Sequence, residues 1–475
     1  MRTLERTSLL IGGMALGLGT VAHADMITVP AGLDEDGEAV RDDDQAQTSD
    51  AVAAMAALTV VGRNMRAAEM GHERHEPGLD EAPMESVGKR WLALLDSVQA
   101  GYMDEDRLMS GHADGAATDS DASMATLADG MYIYHMHHSG GRFAAHDLED
   151  DLVFQPAAML SMLTAQMLDA YHEDGHFGLN DDDDVDGTEL AYGLDAWHGA
   201  AYAWIRHGKS DGEGDMGLVD EDQLEAWMHH TPDDLVDMAH AFADTLDAAW
   251  DDDAGVYDFG SGTTWQLDEL GSLIRGHKAL YEVLYFFDGD ADRAEELFHR
   301  TADMVEAIVG DGGLVQDWGL PEAVSFEDGS ASADGDVDVA AQWRFIHHLT
   351  GGFAFTRESS DLSSFLSDDR EGLTDSIGEA VDRMVLGALH YQMPMGELAR
   401  TVDHGDGAII DDTLRTRTVT AFLVGSGNAY SSGKQLAPPD AWEEDDDVAQ
   451  ATAAFYAGFL NQAQLLQDEL IGSDW

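Results

Sequence analysis

The chain has 475 residues, a formal charge of −70 from 94 acidic and 24 basic side chains, and no cysteine. That charge repels nucleic acid and anionic lipid as partners. The missing thiols exclude disulfides, zinc–thiolate sites, iron–sulfur clusters and haem attached through a C-x-x-C-H motif. Because 44% of residues are hydrophobic and they recur with helical period, the acidity does not signify a disordered chain. It suits a concentrated electrolyte, where the Debye length shrinks to about 3 Å at molar salt, and so an extreme halophile.

Arg2 and Arg6 precede an apolar run from Ser8 to Val21, and Ala22-His23-Ala24 supplies small residues for cleavage before Asp25. This is the pattern of a secretory signal peptide over 1–24. An uncleaved anchor is the alternative, although the run falls short of the ~20 apolar residues a membrane span needs. The mature protein is expected to be exported, to the periplasm, the cell surface or the medium, with no membrane span after cleavage. Residues 25–48 are acidic and poor in bulky apolar side chains, which predicts a flexible leader; 49–475 is read as one domain.

Twelve apolar-periodic segments then follow, near 49–70, 85–103, 120–138, 150–172, 187–207, 220–250, 263–287, 290–309, 335–356, 370–392, 412–426 and 446–470. Strand signals are poor; Gly255–Phe259 and Gly313–Val315 are too short to build a sheet. The segments near 220–250 and 290–309 are amphipathic, as outer helices with one wet face should be. Leu190–Ile205, Leu267–Phe287 and Val339–Phe355 are apolar nearly all round, as inner helices should be.

An internal repeat accompanies this alternation. Asp174-Gly175-His176-Phe177 is echoed 80 residues on by Ala254-Gly255-Val256-Tyr257, and Glu189, His198 and Tyr202 lie 79 residues before Asp268, His277 and Tyr281. Acid-Gly turns recur at Asp311-Gly312-Gly313 and Asp406-Gly407, where glycine supplies positive φ for a tight reversal. Twelve alternating helices with such turns resemble the (α/α)6 toroid, or six-hairpin glycosidase-like, superfamily. The resemblance spans about 49–470 and is one of layout and turn chemistry, without a catalytic signature. It implies an all-α toroid and a glycan or other small-molecule ligand bound at the inner helices' N-terminal ends. It also implies a carbohydrate-active enzyme, either a glycoside hydrolase or a polysaccharide lyase. Fold analogy alone does not establish that function.

In such a cup, glycoside hydrolysis needs two carboxylates across the scissile bond. Asp268 or Glu269 is the candidate proton donor and Glu189 or Asp338 the opposing carboxylate. Trp265, Trp343 and Trp197 are candidate sugar platforms, with Arg344, Gln342 and Asp258 as further substrate-binding residues. Helix capping by the acids and core burial of the tryptophans is the alternative reading. Nine residues at ~100° place Glu189 and His198 on opposite helix faces, which makes the His/Tyr pairs architectural. Asp195 and His198 share a face and form a candidate acid–base pair. Arg275, Arg344, Arg415 and Arg417 would suit an anionic substrate such as a uronate; pairing with interior carboxylates is the alternative.

Two metal readings compete with the enzyme. Met131, His135 and His138 lie on one helical stripe and suit copper or another transition metal, which would make the chain a non-catalytic exported metal-binding protein. Asp182, Asp184 and Asp186 reproduce the first half of a calcium loop, without the closing bidentate Glu. A surface interaction scaffold with an empty ring is the third reading. No P-loop, dinucleotide glycine pattern or G-x-S-x-G elbow appears, so no nucleotide cofactor is expected.

Overall fold

The computed structural model describes residues 26–34, 39–40, 45–69, 84–113, 116–138, 151–178, 185–209, 221–310, 313–352, 372–392, 398–431 and 458–471. In chain order the helices are α1 (Thr48–Glu69), α2 (Met84–Gly101), α3 (Met124–His138), α4 (Asp151–Asp169), α5 (Gly187–Lys209), α6 (Glu221–Met228), α7 (Pro232–Ala249), α8 (Leu267–Val283), α9 (Ala291–Val309), α10 (Val339–Gly352), α11 (Leu373–His390) and α12 (Thr416–Ser431). A last helical stretch over 458–470 ends in a π turn, Leu466–Leu470.

The ring closes on itself. α1 packs on α3, α3 on α5, α5 on α8, α8 on α10, α10 on α12, and α12 back on α1. The helices between them in sequence form the outer layer, so the chain is an (α/α)6 toroid. Residue chemistry explains the layering. Every residue of α8 from Leu270 to Val283 is buried, because neighbours flank it on both sides and α9 covers its back. On α9 the buried set runs Ala294, Leu297, Phe298, Thr301, Ala302, Met304, Val305, Ile308, Val309, a three-and-four spacing that broadens at its end, as a helix with one dry face should show. The two rings are tied by polar contacts: His277 Nδ1 of α8 meets Thr301 Oγ1 of α9 at 2.8 Å. Among the described residues no helix is long and apolar enough to cross a membrane. The segment 1–24, expected to be a signal peptide, lies outside them.

That tie makes the fold acid-labile. Burial, helped by the Arg300 charge, pushes the His277 imidazole down to about 3, and burial pushes His230 down to about 4. An unfolded imidazole titrates near 6.5, so the unfolded chain takes up protons first as pH falls. The stabilisation is complete above pH 6.5 and is lost between there and the folded values. Each histidine costs roughly 3 kcal/mol between pH 6.5 and 4 by this linkage. His277→Gln should therefore flatten the acid limb of the stability profile in denaturant unfolding at pH 7 and 4.5.

The repeated acid-Gly turns are two-stranded hairpins. Tyr171–His172 pairs with His176–Phe177, and Trp250–Asp251 pairs with Val256–Tyr257. Gly175 and Gly255 hold φ of 85° and 74°, the left-handed region that costs other L-residues about 1–2 kcal/mol. The two differ in room: a Cβ on Gly175 would lie 2.2 Å from the Ala241 carbonyl oxygen, whereas on Gly255 nothing is closer than 3.5 Å. Gly175→Ala should thus lower the unfolding midpoint well beyond Gly255→Ala, which carries the backbone cost alone.

The structure departs from three expectations. The segment 220–250 is two helices, because Thr231 caps α7 through Asp234 and Pro232 stands at its first position, where proline is tolerated. The segment 263–287 starts as a strand, Thr264–Gln266, and ends as a π turn, Leu284–Asp288. Thr264–Gln266 joins a hairpin, Ala323–Glu327 with Ser330–Asp334. That hairpin turns on Asp328 and Gly329, both at positive φ. The leader expected to be flexible over 25–48 is docked where it is described. Ile27, Val29 and Ala31 are buried, and Gly32–Leu33 pairs with Leu414–Arg415 at the entry to α12. Apolar side chains scattered through an acidic stretch sufficed to anchor it.

Candidate functional site

All six inner helices start at the same end of the torus, and their first turns enclose a cavity of about 730 Å³. Its carboxylates are Asp50, Asp129, Asp268, Glu322 and Asp338; its guanidinium groups are Arg344, Arg400, Arg415 and Arg417. A chain with 94 acids and 24 cations is close to balanced here, with five carboxylates against four guanidinium groups. The six helix N-termini add partial positive charge to the same mouth.

Asp268 is the best-supported carboxylate of the cup. It is half-buried, accepts a hydrogen bond from Tyr192 Oη at 2.9 Å, and its charge helps hold the Arg344 guanidinium protonated. Arg344 in turn donates to Asp129 Oδ2 at 2.7 Å. Asp338 also lines the cup and caps α10, accepting from Ala341 N at 2.9 Å. Glu322 stands on the exposed rim of the same wall; the desolvation it has there and the charges of Asp338, Asp336 and Asp334 raise its proton affinity. Its neighbour by chain, the turn into the 323–334 hairpin, carries no helical period, so periodicity did not mark it. Tyr192, Asp129 and Arg400 were likewise missed.

Other predicted residues are elsewhere. Glu189 and Glu269 face a separate side groove of about 830 Å³, lined also by His176, Phe259 and Trp265. One residue of helix rotation, ~100°, turns Glu269 away from Asp268. Glu269 accepts from Thr188 Oγ1 at 3.1 Å and from Gln266 N at 3.4 Å, which closes the start of α8. Burial raises the proton affinity of both glutamates.

The three tryptophans expected as sugar platforms are packed in the core, none of them lining the axial cup. Trp197 packs edge-on against Phe242, Trp343 against Phe422, and Trp265 donates its indole N–H to the Tyr257 carbonyl at 3.0 Å; all three are buried. Their apolar area is worth more inside than at a wet rim. Gln342 is buried and structural, donating to Tyr391 Oη at 2.7 Å and accepting from Leu320 N at 3.2 Å. Asp258 is spent on a turn, accepting from Gly260 N and Gly262 N.

The metal expectations fare similarly. Met131 is fully buried, against Gly199 of α5, so its thioether belongs to the core; the side chains of His135 and His138 lie outside the described residues. Asp182 and Asp184 also lie outside them, while Asp186 accepts from Thr188 N and Glu189 N to cap α5.

Below the cup runs a buried polar chain to which every inner helix contributes. Arg275 Nε of α8 meets Asp195 Oδ1 of α5 at 3.1 Å, and its guanidinium lies 4.8 Å from the Tyr132 ring of α3. Arg275 Nη1 donates to His347 Nε2 of α10 at 3.4 Å; His347 Nδ1 meets the Asn428 amide of α12 at 2.7 Å, and Arg63 of α1 donates to the same amide. His348 Nε2 lies 3.4 Å from Asp195 Oδ2. Burial, opposed by Arg275, raises Asp195 to about 6. Burial and the arginines Arg275 and Arg344 keep His347 and His348 neutral. His347, His348 and Tyr132 reach the cup floor. Asp195 therefore pairs with Arg275 and His348. His198, expected to pair with Asp195, accepts from Arg275 at 3.5 Å and stacks on Tyr202.

No protein-family model matches the sequence, and no curated protein sequence matches it. Solved structures share the layout at low identity. A sugar epimerase from a ruminal bacterium is 10% identical, with a TM-score of 0.46 over 86% of this chain and 93% of that one. A D-mannose isomerase is 11% identical, with a TM-score of 0.46 over 80% and 88%. The unsaturated glucuronyl hydrolase of Bacillus sp. GL1 is 15% identical, with a TM-score of 0.42 over 78% and 82%. These are likenesses of fold to carbohydrate-active enzymes.

Proposed function

We propose that this chain is an exported carbohydrate-active enzyme of a high-salt environment, acting in the axial cup on a sugar unit that carries a negative charge. The observation that carries the reading is the convergence of Arg344, Arg400, Arg415 and Arg417 with Asp268, Glu322 and Asp338 around one cavity. Arginine forks suit a carboxylate or sulfate on a sugar, and the helix N-termini favour the same charge. Arg400 and Arg417 are exposed; Arg400 donates to Asp411 Oδ2 at 3.2 Å and Arg417 to Ser49 Oγ at 2.7 Å, surface contacts that an anionic group of a ligand would replace. Export rests on Arg2, Arg6 and the Ser8–Val21 run; high salt rests on the acidic surplus.

In this reading Glu322, whose proton affinity is raised, protonates the leaving oxygen. Asp268, fixed by Tyr192, is the opposing carboxylate that activates water or steadies the developing cation. The result is hydrolysis. A second reading is favoured by one observation, the neutral His347 at the cup floor. Abstraction of a carbon-bound proton, and hence β-elimination or epimerisation of a uronate, would require Arg275 or Asn428 to release a nitrogen of that ring.

Turnover of a panel of uronate-containing and neutral oligosaccharides at multimolar NaCl, followed by mass, tests both. Hydrolysis adds one water to the products. Elimination splits the chain without water and leaves an ultraviolet-absorbing double bond. Epimerisation leaves the mass unchanged. Turnover of neutral sugars alone contradicts the anionic assignment, and no turnover of any member contradicts the enzyme.

A further inference from the structure

We infer that the hairpin Tyr171–His172/His176–Phe177 is a divalent transition-metal site of the zinc class, separate from the cup. His172 and His176 are directly cross-strand partners, so both side chains leave the same face of the hairpin. Asp174 sits in the turn between them, and one ligand atom from each of the three residues lies within 4.8 Å of the others. Two imidazoles and a carboxylate suit zinc and its first-row neighbours, with a fourth position left for water.

Two details fit a ligand set better than a plain turn. His172 Nε2 donates to the Gly178 carbonyl at 3.3 Å, which fixes the ring and leaves Nδ1 with its lone pair, the usual outer contact of a metal-bound histidine. His176 is 3% exposed, touches Asp174 Oδ1 through Nδ1 at 2.8 Å, and its Nε2 finds no hydrogen-bond partner among the described residues. The two rings stack at 4.4 Å with 5° between their planes, so binding one ion requires a ring to turn about its χ angles until the in-plane lone pairs converge. The repeat supplies an internal control. In the sister hairpin the same cross-strand position is Asp251 with Val256. The fold therefore builds this turn without histidines, and the pair is particular to the first copy. His176 also lines the side groove, which places the site at that groove's edge.

The test is titration of the purified protein with Zn²⁺ in multimolar NaCl containing excess Ca²⁺ and Mg²⁺ to occupy the acidic surface. Co²⁺ serves as the spectroscopic probe. One Zn²⁺ per chain is expected, with Co²⁺ giving visible bands of a low-symmetry site containing nitrogen ligands. His172→Ala should weaken binding by about 100-fold or more, and Asp174→Asn by about 10-fold, in line with losses on removing metal-site partners. His172 is only half-buried, so near-ultraviolet circular dichroism should show that variant folded. No stoichiometric Zn²⁺, or Zn²⁺ bound unchanged by folded His172→Ala, overturns the assignment. The second result would move the metal to another histidine cluster.

Discussion

Arg275→Ala is expected to destabilise the protein by about 3–5 kcal/mol, the cost of leaving one partner of a buried ion pair alone. Asp195 has no exposed surface and Arg275 almost none. Without the guanidinium, Asp195 keeps the desolvation that already raises it to about 6 and loses the main opposing charge. The sign of the pH dependence follows. A carboxyl whose folded pKa is raised contributes stability below its unfolded value and loses it as pH rises through the folded one. The variant's deficit should therefore be larger at pH 8 than at pH 5, where Asp195 is protonated in both proteins. Loss of Arg275 also relieves the charge that lowers His347 and His348, which acts in the same direction. Denaturant unfolding in multimolar salt reads the difference. The double variant Asp195→Leu/Arg275→Met should recover most of it, because apolar isosteres of a buried pair are well tolerated. A deficit independent of pH would refute the pairing.

Asp268→Asn is expected to lower kcat by about 10²–10⁴-fold, the usual worth of a positioned acid–base group, while Glu269→Gln leaves turnover near that of the parent. The two residues are adjacent in sequence, but α8 turns one into the axial cup and the other into the side groove. Asn at 268 still accepts from Tyr192, so the fold is preserved. Gln at 269 still accepts from Thr188. Equal losses from both variants would mean that the helix start matters and the cup does not.

The contrast between Asp268 and Glu269 also marks where sequence stops being informative. The twelve helical segments were legible because each layer writes its own pattern: α8 is apolar on every face and α9 on one. The acid-Gly turns were legible because Gly175, Gly255 and Gly407 hold positive φ. Rotation about a helix axis was not. An inner helix buried all round gives no polar face to orient it, so Glu189 and Asp268, equivalent in the repeat, point into different cavities. Tryptophans at inner-helix starts looked the same whether buried or displayed, and the core took Trp197, Trp265 and Trp343. Residues that meet only when the ring closes left no local trace. Arg63 and Asn428 stand at opposite ends of the sequence, yet bond across the α1–α12 seam. Asp129 and Arg344 do so through α3 and α10. The 323–334 hairpin carried one usable signal, Asp328-Gly329, in a setting with weak strand alternation.

The decisive measurement is a crystal structure of Asp268→Asn grown in high salt and soaked with a uronate-containing oligosaccharide. The account predicts density for the sugar in the torus mouth, its acidic group against Arg400 and Arg417 and its reacting bond between Asn at 268 and Glu322. A sugar seated in the groove beside Glu189 and Glu269, with the mouth holding only solvent, would contradict it.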